Sequence, residues 1–165
     1  MKTKITMLLM AFIALAAQAQ EKKLSPAETA KGNINGAAIT INYGSPSVKG
    51  RAIWGGLVPF GQVWRAGANE ATTFETSKSI MVEGKELPAG KYGFFILPDK
   101  ESAIIIFNKV PNQWGAFKYD EKQDQLRVTV KPVKATTNTE KLLYTFDTKG
   151  LWIKWDSWYI PVNIK

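Results

Sequence analysis

Hydrophobic and polar residues alternate along most of the chain after residue 36. Ala37, Ile39, Ile41 and Tyr43 alternate with small or polar residues, which is the period of a β-strand with one buried face. The same signal predicts further strands at residues 72–76, 80–82, 91–97, 103–108, 126–130, 142–147, 151–155 and 158–164. No segment of comparable length has a helical period, so the pattern predicts an all-β protein.

Glycine and proline residues mark the turns between these strands. Glu83-Gly84 fits a tight hairpin because glycine reaches positive φ without steric cost, and the Leu-Pro-Ala-Gly of residues 87–90 fits a turn with proline second. Turns at residues 147–150 and 156–157 separate the last three predicted strands. Short strands at this spacing favour one antiparallel β-sandwich over residues 37–165, either jelly-roll-like or immunoglobulin-like.

The strands differ in which of their faces are apolar. Residues 92–97 and 103–107 are apolar on both faces and are expected in the centre of the core. Residues 126–130 have one polar face and are followed by Pro132, which favours either an edge strand or the end of a strand. Near the C-terminus, Trp152 and Tyr159 fall on the outer face of their strands. An exposed aromatic strip there would favour a structural or adhesive protein of the cell envelope, and the alternative is that a second sheet or the N-terminal segment covers it.

The N-terminal segment has the pattern of a targeting signal. Residues 1–19 contain two lysines, an apolar run at residues 5–17 and a final Ala-Gln-Ala, which predicts a signal peptide cleaved before Gln20. No other stretch approaches the roughly 20 apolar residues of a membrane span. Residues 20–36 then form a polar lead. The protein is therefore expected to be exported, either to the periplasm or to the medium.

Composition excludes several kinds of chemistry. The 165 residues include no cysteine and no histidine, which removes thiol nucleophiles, disulfides, imidazole bases and the usual zinc ligands. No cofactor or metal is expected, since Asp120 and Asp124 lack the spacing of a calcium loop. The net charge is +8, but the basic residues are mostly scattered lysines, with arginine only at Arg51, Arg65 and Arg127. This distribution argues against nucleic-acid binding.

Residues 44–71 interrupt the strand pattern. The segment holds six glycines and two prolines together with the large side chains of Trp54, Leu57, Phe60 and Trp64. A loop of this length in a compact domain is usually functional or disordered, and its aromatic residues argue against disorder. We therefore expect a packed irregular loop.

This loop is the predicted site of ligand binding. Its glycine-rich backbone can present N–H groups, while Arg65 and Asn69 contact a polar or anionic ligand beside an apolar wall from Trp54 or Trp64. A second irregular loop at residues 108–120 is a candidate for the opposite wall. The candidate ligand-binding residues are Arg51, Trp54, Trp64, Arg65, Asn69, Glu70 and Trp114.

A purely structural interpretation of the same residues stays open. In that interpretation Arg65 pairs with Glu70 to fix the loop, Asn69 takes a left-handed turn conformation, and the tryptophans close one end of the sandwich.

Several motifs in these loops carry a resemblance to a known family. The motifs are GSPSVKGR at residues 44–51, WG at 54–55, LVP at 57–59, VWRxGANEAT at 63–72, LPAGxY at 87–92 and QWGA at 113–116. Together they resemble the exported bacterial family called domain of unknown function twenty-nine-eleven. The resemblance covers nearly the whole mature chain and implies no established activity.

The function that the sequence favours is a non-catalytic binding module for a small polar ligand, a glycan or a peptide. The enzyme alternative is a carboxylate-dependent hydrolase in which Glu70 is the acid or base and Arg65 stabilises an anionic transition state. Hydrolysis of a glycosidic bond normally needs a second carboxylate, which here has to come from Glu75 or Asp120 outside the segment. The sequence leaves the oligomeric state open.

Overall fold

The structure, a computed structural model, describes residues 24–165. The predicted signal peptide at residues 1–19 and the start of the polar lead lie outside this range. Over the described range, no helix has the length and apolar character needed to cross a membrane.

The described residues form β-strands and one turn of 3-10 helix at Glu121–Gln123. The strands are β1 (Ala27–Ile34), β2 (Ala37–Gly44), β3 (Thr72–Thr76), β4 (Ile80–Val82), β5 (Lys85–Leu87), β6 (Gly90–Pro98), β7 (Ala103–Asn108), β8 (Asp124–Val130), β9 (Val133–Asp147) and β10 (Gly150–Asn163). Six of them form one sheet in the order β1-β2-β3-β6-β7-β8, while β9 pairs with β10 and β4 with β5. Every pairing is antiparallel, so the predicted all-β antiparallel fold is confirmed. The large sheet is a meander, because its strands are neighbours in chain order apart from the β4–β5 hairpin, which lies between β3 and β6 in the sequence. Jelly-roll and immunoglobulin sandwiches are instead built from Greek keys.

The main core lies between the six-stranded sheet and the β9–β10 ribbon. Phe94 of the sheet and Tyr144 and Trp155 of the ribbon belong to one buried cluster, and the rings of Phe94 and Tyr144 are 6.2 Å apart. Burial of each such side chain contributes about 1.5–3 kcal/mol. The ribbon is therefore the layer that covers the inner face of the sheet.

The two predicted central strands, β6 and β7, are neighbours within the sheet and are buried on both faces. Their residues alternate between the main core and a smaller cluster on the outer face, which contains Phe95 and Ile106. Strand β8 lies at the end of the sheet order, as its polar face and Pro132 predicted.

Strand β1 lies in the segment that the sequence analysis describes only as a polar lead. It pairs with β2 along its whole length, from Ala27 opposite Gly44 to Ile34 opposite Ala37. Most of its residues are exposed because it forms the edge of the sheet, so the apolar alternation is absent. The turn between β1 and β2 is Asn35-Gly36, with φ of 52° and 78°. Asn-Gly is a strong hairpin signal in the sequence, and it would have predicted β1 where the apolar alternation does not.

The predicted turn at residues 156–157 is wrong. Asp156 lies inside β10, where its φ of 51° accompanies shifts of register against β9. Aspartate tolerates this left-handed conformation better than most residues. The resulting bulge bends the strand without ending it. The backbone N–H of Ile164 then donates to the carbonyl of Lys149 at 3.0 Å, so the end of the chain returns to the start of β10.

No helix or strand lies between β2 and β3, so residues 45–71 form one long irregular loop among the described residues. Its first part is bound to β9, where the N–H of Val48 donates to the carbonyl of Glu140 at 2.8 Å. Its later part is bound to β6, where Trp64 and Ile96 exchange two backbone hydrogen bonds of 2.8 and 2.9 Å. These contacts hold the loop against both layers of the fold.

Candidate functional site

The structure separates the predicted site residues into three groups: two tryptophans, two arginines and the residues of a junction between the two irregular loops. Trp54 and Trp64 belong to an aromatic stack that contains Trp54, Phe60, Trp64, Trp155 and Trp158. Trp54 stacks on Trp158 with ring centroids 4.6 Å apart, and Trp64 stacks on Trp155 at 5.6 Å. The indole N–H of Trp54 donates to the carbonyl of Trp155 at 3.2 Å. These two tryptophans are partly buried and pack against the core, as the structural interpretation predicted.

The two arginines of the loop have different surroundings. Arg51 is exposed, and its guanidinium donates to the carbonyls of Val48 and Ser47, which closes its own turn. Arg65 is half-buried, its Nε atom has no hydrogen-bond partner, and burial lowers its pKa.

The remaining predicted residues lie at a junction between the two irregular loops. The N–H of Ala71 donates to the carbonyl of Gln113 at 2.9 Å, and the N–H of Gly115 donates to the carbonyl of Asn69 at 3.2 Å. Glu70 and Trp114 therefore face each other across an antiparallel bridge. The structure thus brings together Asn69, Glu70 and Trp114, which the sequence placed on opposite walls.

Asn69 supports this junction in two ways. Its φ is 65°, the left-handed conformation that asparagine tolerates better than most residues. Its side-chain amide donates to the carbonyl of Ser25 at 3.2 Å, so the junction is linked to the chain that leads into β1.

Beside the junction, a groove of about 340 Å³ opens on the outer face of the sheet. Its floor is a row of polar residues on three neighbouring strands, in which Thr29 lies opposite Asn42 and Asn42 lies opposite Thr73. The hydroxyl of Thr29 donates to the side-chain oxygen of Asn42 at 2.8 Å. Asn69 and Glu70 line the same groove, so the junction forms one of its walls.

The charged residues of the groove are Glu28, Glu70 and Lys91. All three are exposed. Glu28 is on β1, Glu70 on the junction and Lys91 on β6, so three separate parts of the chain supply the charge. The predicted partner carboxylates for hydrolysis, Glu75 and Asp120, are not among the residues that line it.

Five polar residues of the groove were not among the sequence-based candidates: Glu28, Thr29, Asn42, Thr73 and Lys91. The alternation in β2 does place Asn42 on the outer face. That signal is weak, because the outer face of an antiparallel sheet is commonly polar. Only the register of β1, β2 and β3 shows that Thr29, Asn42 and Thr73 form one row.

The second loop is held by a buried polar network. Asn108 is fully buried, and its amide donates to Asp124 at 2.8 Å and to the carbonyl of Asp120 at 3.0 Å, while its oxygen accepts from the N–H of Val110. Tyr119 donates to the second oxygen of Asp124. Burial, together with the hydrogen bond to Asp124, raises the pKa of Tyr119 well above its ordinary value. The network fixes the loop that carries Trp114.

These features define an all-β protein with a polar groove on the outer face of its main sheet. Residues 25–164 match the family described as "Protein of unknown function (DUF2911)", and the chain belongs to this family. The resemblance seen in the motifs is thereby confirmed. Comparisons with curated proteins and with solved structures found no match.

Proposed function

We propose that this protein is a non-catalytic binding module that takes a small polar ligand, a glycan or a peptide in the groove. The observation that carries the proposal is the coincidence of two independent features. The polar row of Thr29, Asn42 and Thr73 lies in register across three strands, and the two-loop junction forms a wall directly beside it.

The chemistry of the groove supports a hydrogen-bonding ligand. Hydroxyl and amide side chains both donate and accept hydrogen bonds, which suits the hydroxyls of a sugar or the amides of a peptide. A volume of about 340 Å³ is within the range of small-molecule sites. Trp114, bridged to Glu70 by its backbone, is 59% exposed and supplies aromatic surface at the junction.

Export is part of the proposal. It is supported by the signal-peptide pattern of residues 1–19. Mass spectrometry of the mature protein from cells should give a chain that begins at Gln20. A chain that keeps its first 19 residues in the cytoplasm would contradict this part.

Ligand screening with matched variants tests binding in the groove. Small sugars and short peptides are screened by NMR chemical-shift changes, followed by titration of each hit against the wild type, Asn42→Ala and Asn163→Ala. Asn42 lies in the groove, whereas Asn163 is exposed near the C-terminus. Loss of one hydrogen bond, about 1 kcal/mol, should weaken binding roughly fivefold in Asn42→Ala and leave Asn163→Ala unchanged.

Two results would overturn the proposal. The first is the absence of any hit, or hits that respond equally to both variants. The second is turnover of a glycoside or peptide that is lost in Glu70→Gln, which would assign the groove to the hydrolase alternative.

A further inference from the structure

Exposed apolar side chains are concentrated around the junction of the two loops. Among residues 24–165, the three most exposed large apolar side chains are Leu24, Phe117 and Trp114, at 90%, 86% and 59%. Single exposed apolar side chains are normal on a protein surface, whereas a group of them marks contact with another protein or with a membrane.

Hydrogen bonds place two of these side chains beside the turn at Asn69. The side-chain amide of Asn69 donates to the carbonyl of Ser25, the neighbour of Leu24, at 3.2 Å. The carbonyl of Asn69 accepts from the N–H of Gly115 at 3.2 Å. The ring of Phe117 lies over this glycine, since a β-carbon at Gly115 would be 3.0 Å from it. Two separate segments of the chain therefore present apolar side chains at one place.

Val110 is a fourth exposed apolar residue of this region. Its carbonyl accepts from the side-chain amide of Gln113 at 2.7 Å, which folds the loop back towards the junction. The buried network around Asn108 fixes the same loop, so these side chains are held in place before any partner binds. We call Leu24, Val110, Trp114 and Phe117 the junction patch.

The charged side chains of the second loop favour a negatively charged partner. Lys109 precedes Val110 in the chain, Lys118 follows Phe117, and both lysines are exposed. The whole chain has a net charge of +8, and it stays positive after loss of the two lysines in the predicted signal peptide. The long-range field of the protein therefore attracts an anionic surface.

The carboxylates that follow in the chain are bound within the protein. Asp120 accepts a hydrogen bond from the N–H of Lys122 at 3.0 Å, and Glu121 forms an ion pair with Arg127 at 2.6 Å. Glu70, on the first loop, lines the groove.

We propose that the junction patch binds the surface of an anionic lipid bilayer. Its apolar side chains enter the boundary between head groups and acyl chains, while Lys109 and Lys118 contact the anionic head groups. Tryptophan suits this boundary because the indole ring has both apolar and polar parts. This interaction goes beyond the binding function of the groove and does not depend on it.

A second copy of the chain fits the patch less well than a lipid surface does. A symmetric dimer joined through the patch would bring Lys109 and Lys118 of both copies together. Like charges brought together at an interface oppose association, whereas anionic lipids attract the same lysines.

Vesicle co-sedimentation at physiological ionic strength tests the inference on residues 20–165. Vesicles of phosphatidylcholine alone are compared with vesicles that contain an equal amount of phosphatidylglycerol. Binding to the neutral vesicles should be at least about tenfold weaker, because each lysine near an anionic surface contributes about fivefold in affinity. Equal binding to both kinds of vesicle, or no binding to the anionic kind, would overturn the inference.

Apolar variants assign the binding to the patch. Phe117→Ala should weaken binding to the anionic vesicles about tenfold, because the ring is no longer buried in the bilayer. Leu143→Ala is the control, since Leu143 is an exposed apolar side chain on β9, outside the patch. Equal losses in the two variants would count against the patch as the membrane-binding surface.

Paired lysine variants separate local charge from net charge. Lys109→Gln combined with Lys118→Gln should weaken binding to the anionic vesicles at least about tenfold. Lys85→Gln combined with Lys100→Gln removes the same charge from exposed positions outside the second loop. This control should change the affinity less than about twofold, because salt screens charges beyond about 8 Å. Equal losses would show that net charge alone is responsible and would refute the inference.

Sedimentation velocity without lipid tests the second copy as the occupant. The wild type should sediment as a monomer. A dimer that dissociates in Phe117→Ala would assign the patch to self-association and would overturn the membrane proposal.

Discussion

The hydroxyl of Tyr144 donates a hydrogen bond to the carbonyl oxygen of Ala66. Tyr144 is on the ribbon strand β9, whereas Ala66 is in the long loop, where it is fully buried with a φ of 53°. The hydroxyl of Thr72 donates to the same carbonyl at 3.0 Å. Burial raises the pKa of Tyr144, which keeps the phenol protonated as a donor. The ribbon therefore helps to fix a left-handed turn in the loop that forms one wall of the groove.

Tyr144→Phe tests this contact. The variant removes one of two buried donors to the Ala66 carbonyl, and we expect the free energy of unfolding to fall by about 1 kcal/mol. Urea unfolding followed by tryptophan fluorescence measures the change. Tyr159→Phe is the control, because the Tyr159 hydroxyl donates to Thr137 at an exposed site, and its loss should be below about 0.5 kcal/mol. Equal losses would contradict the assignment.

Trp54→Ala tests whether the aromatic stack is structural. The substitution removes a ring that stacks on Trp158 and a hydrogen bond to Trp155, so we expect a loss of about 3 kcal/mol in the free energy of unfolding. Phe117→Ala removes a ring that is 86% exposed and should change it by less than about 0.5 kcal/mol. Calorimetric melting of both variants gives the comparison. If Trp54→Ala is as stable as the wild type but binds ligand more weakly, Trp54 is a binding residue and not a structural one.

Arg65→Met tests the role of the half-buried arginine. Because the buried Nε of Arg65 has no hydrogen-bond partner, an apolar side chain of similar length should leave the free energy of unfolding unchanged or raise it. Arg51→Met is the matched variant, since Arg51 donates to two backbone carbonyls and its removal should cost about 1 kcal/mol. A larger loss for Arg65→Met than for Arg51→Met in urea unfolding would disprove this reasoning.

The hydrogen bonds of the turn after β9 predict that the stability of the protein falls at acid pH. Asp147 accepts hydrogen bonds from the indole of Trp152 at 2.7 Å and from the N–H groups of Lys149 and Gly150, which lowers its pKa. Since the folded pKa is the lower one, the stabilisation is complete above the ordinary value of about 3.9 and is lost as pH falls through the folded value. Urea unfolding at a series of acid pH values should show this loss in the wild type.

Two variants check the source of that acid dependence. Asp147→Asn should remove it, and Trp152→Phe should reduce it because the indole is the largest cause of the lowered pKa. An acid dependence unchanged in Asp147→Asn would refute the assignment.

The features that were predicted from the sequence depend on local signals. The apolar alternation of residues 37–43 gave β2 and its buried face, and Glu83-Gly84 gave the β4–β5 hairpin with φ of 47° and 79°. In each case a few neighbouring residues carry the physical cause. The bulge at Asp156 has no such local signal, because Asp156-Ser157 is compatible with either a turn or a bent strand. The pairing with β9 decides between the two.

The candidate site depends on contacts between distant parts of the chain. Trp54 looks available for a ligand in the sequence, and only its contact with Trp155, 101 residues away, shows that it is packed. Glu28 looks like part of a solvated lead until β1 is placed beside β2. The long loop was singled out by its composition, but the division into an aromatic stack and a groove wall follows from tertiary packing.

One boundary of the groove belongs to the outermost strand of its sheet. Edge strands open locally at a lower free energy than the interior of a sheet. A ligand that contacts β1, β2 and β3 together would stabilise the pairing of β1 with the sheet. The amide protons of Ala27–Ile34 should therefore exchange with solvent more slowly when the ligand is bound. Local opening of β1 and binding in the groove would then be coupled, so that a ligand which occupies the groove also lowers the population of the open strand.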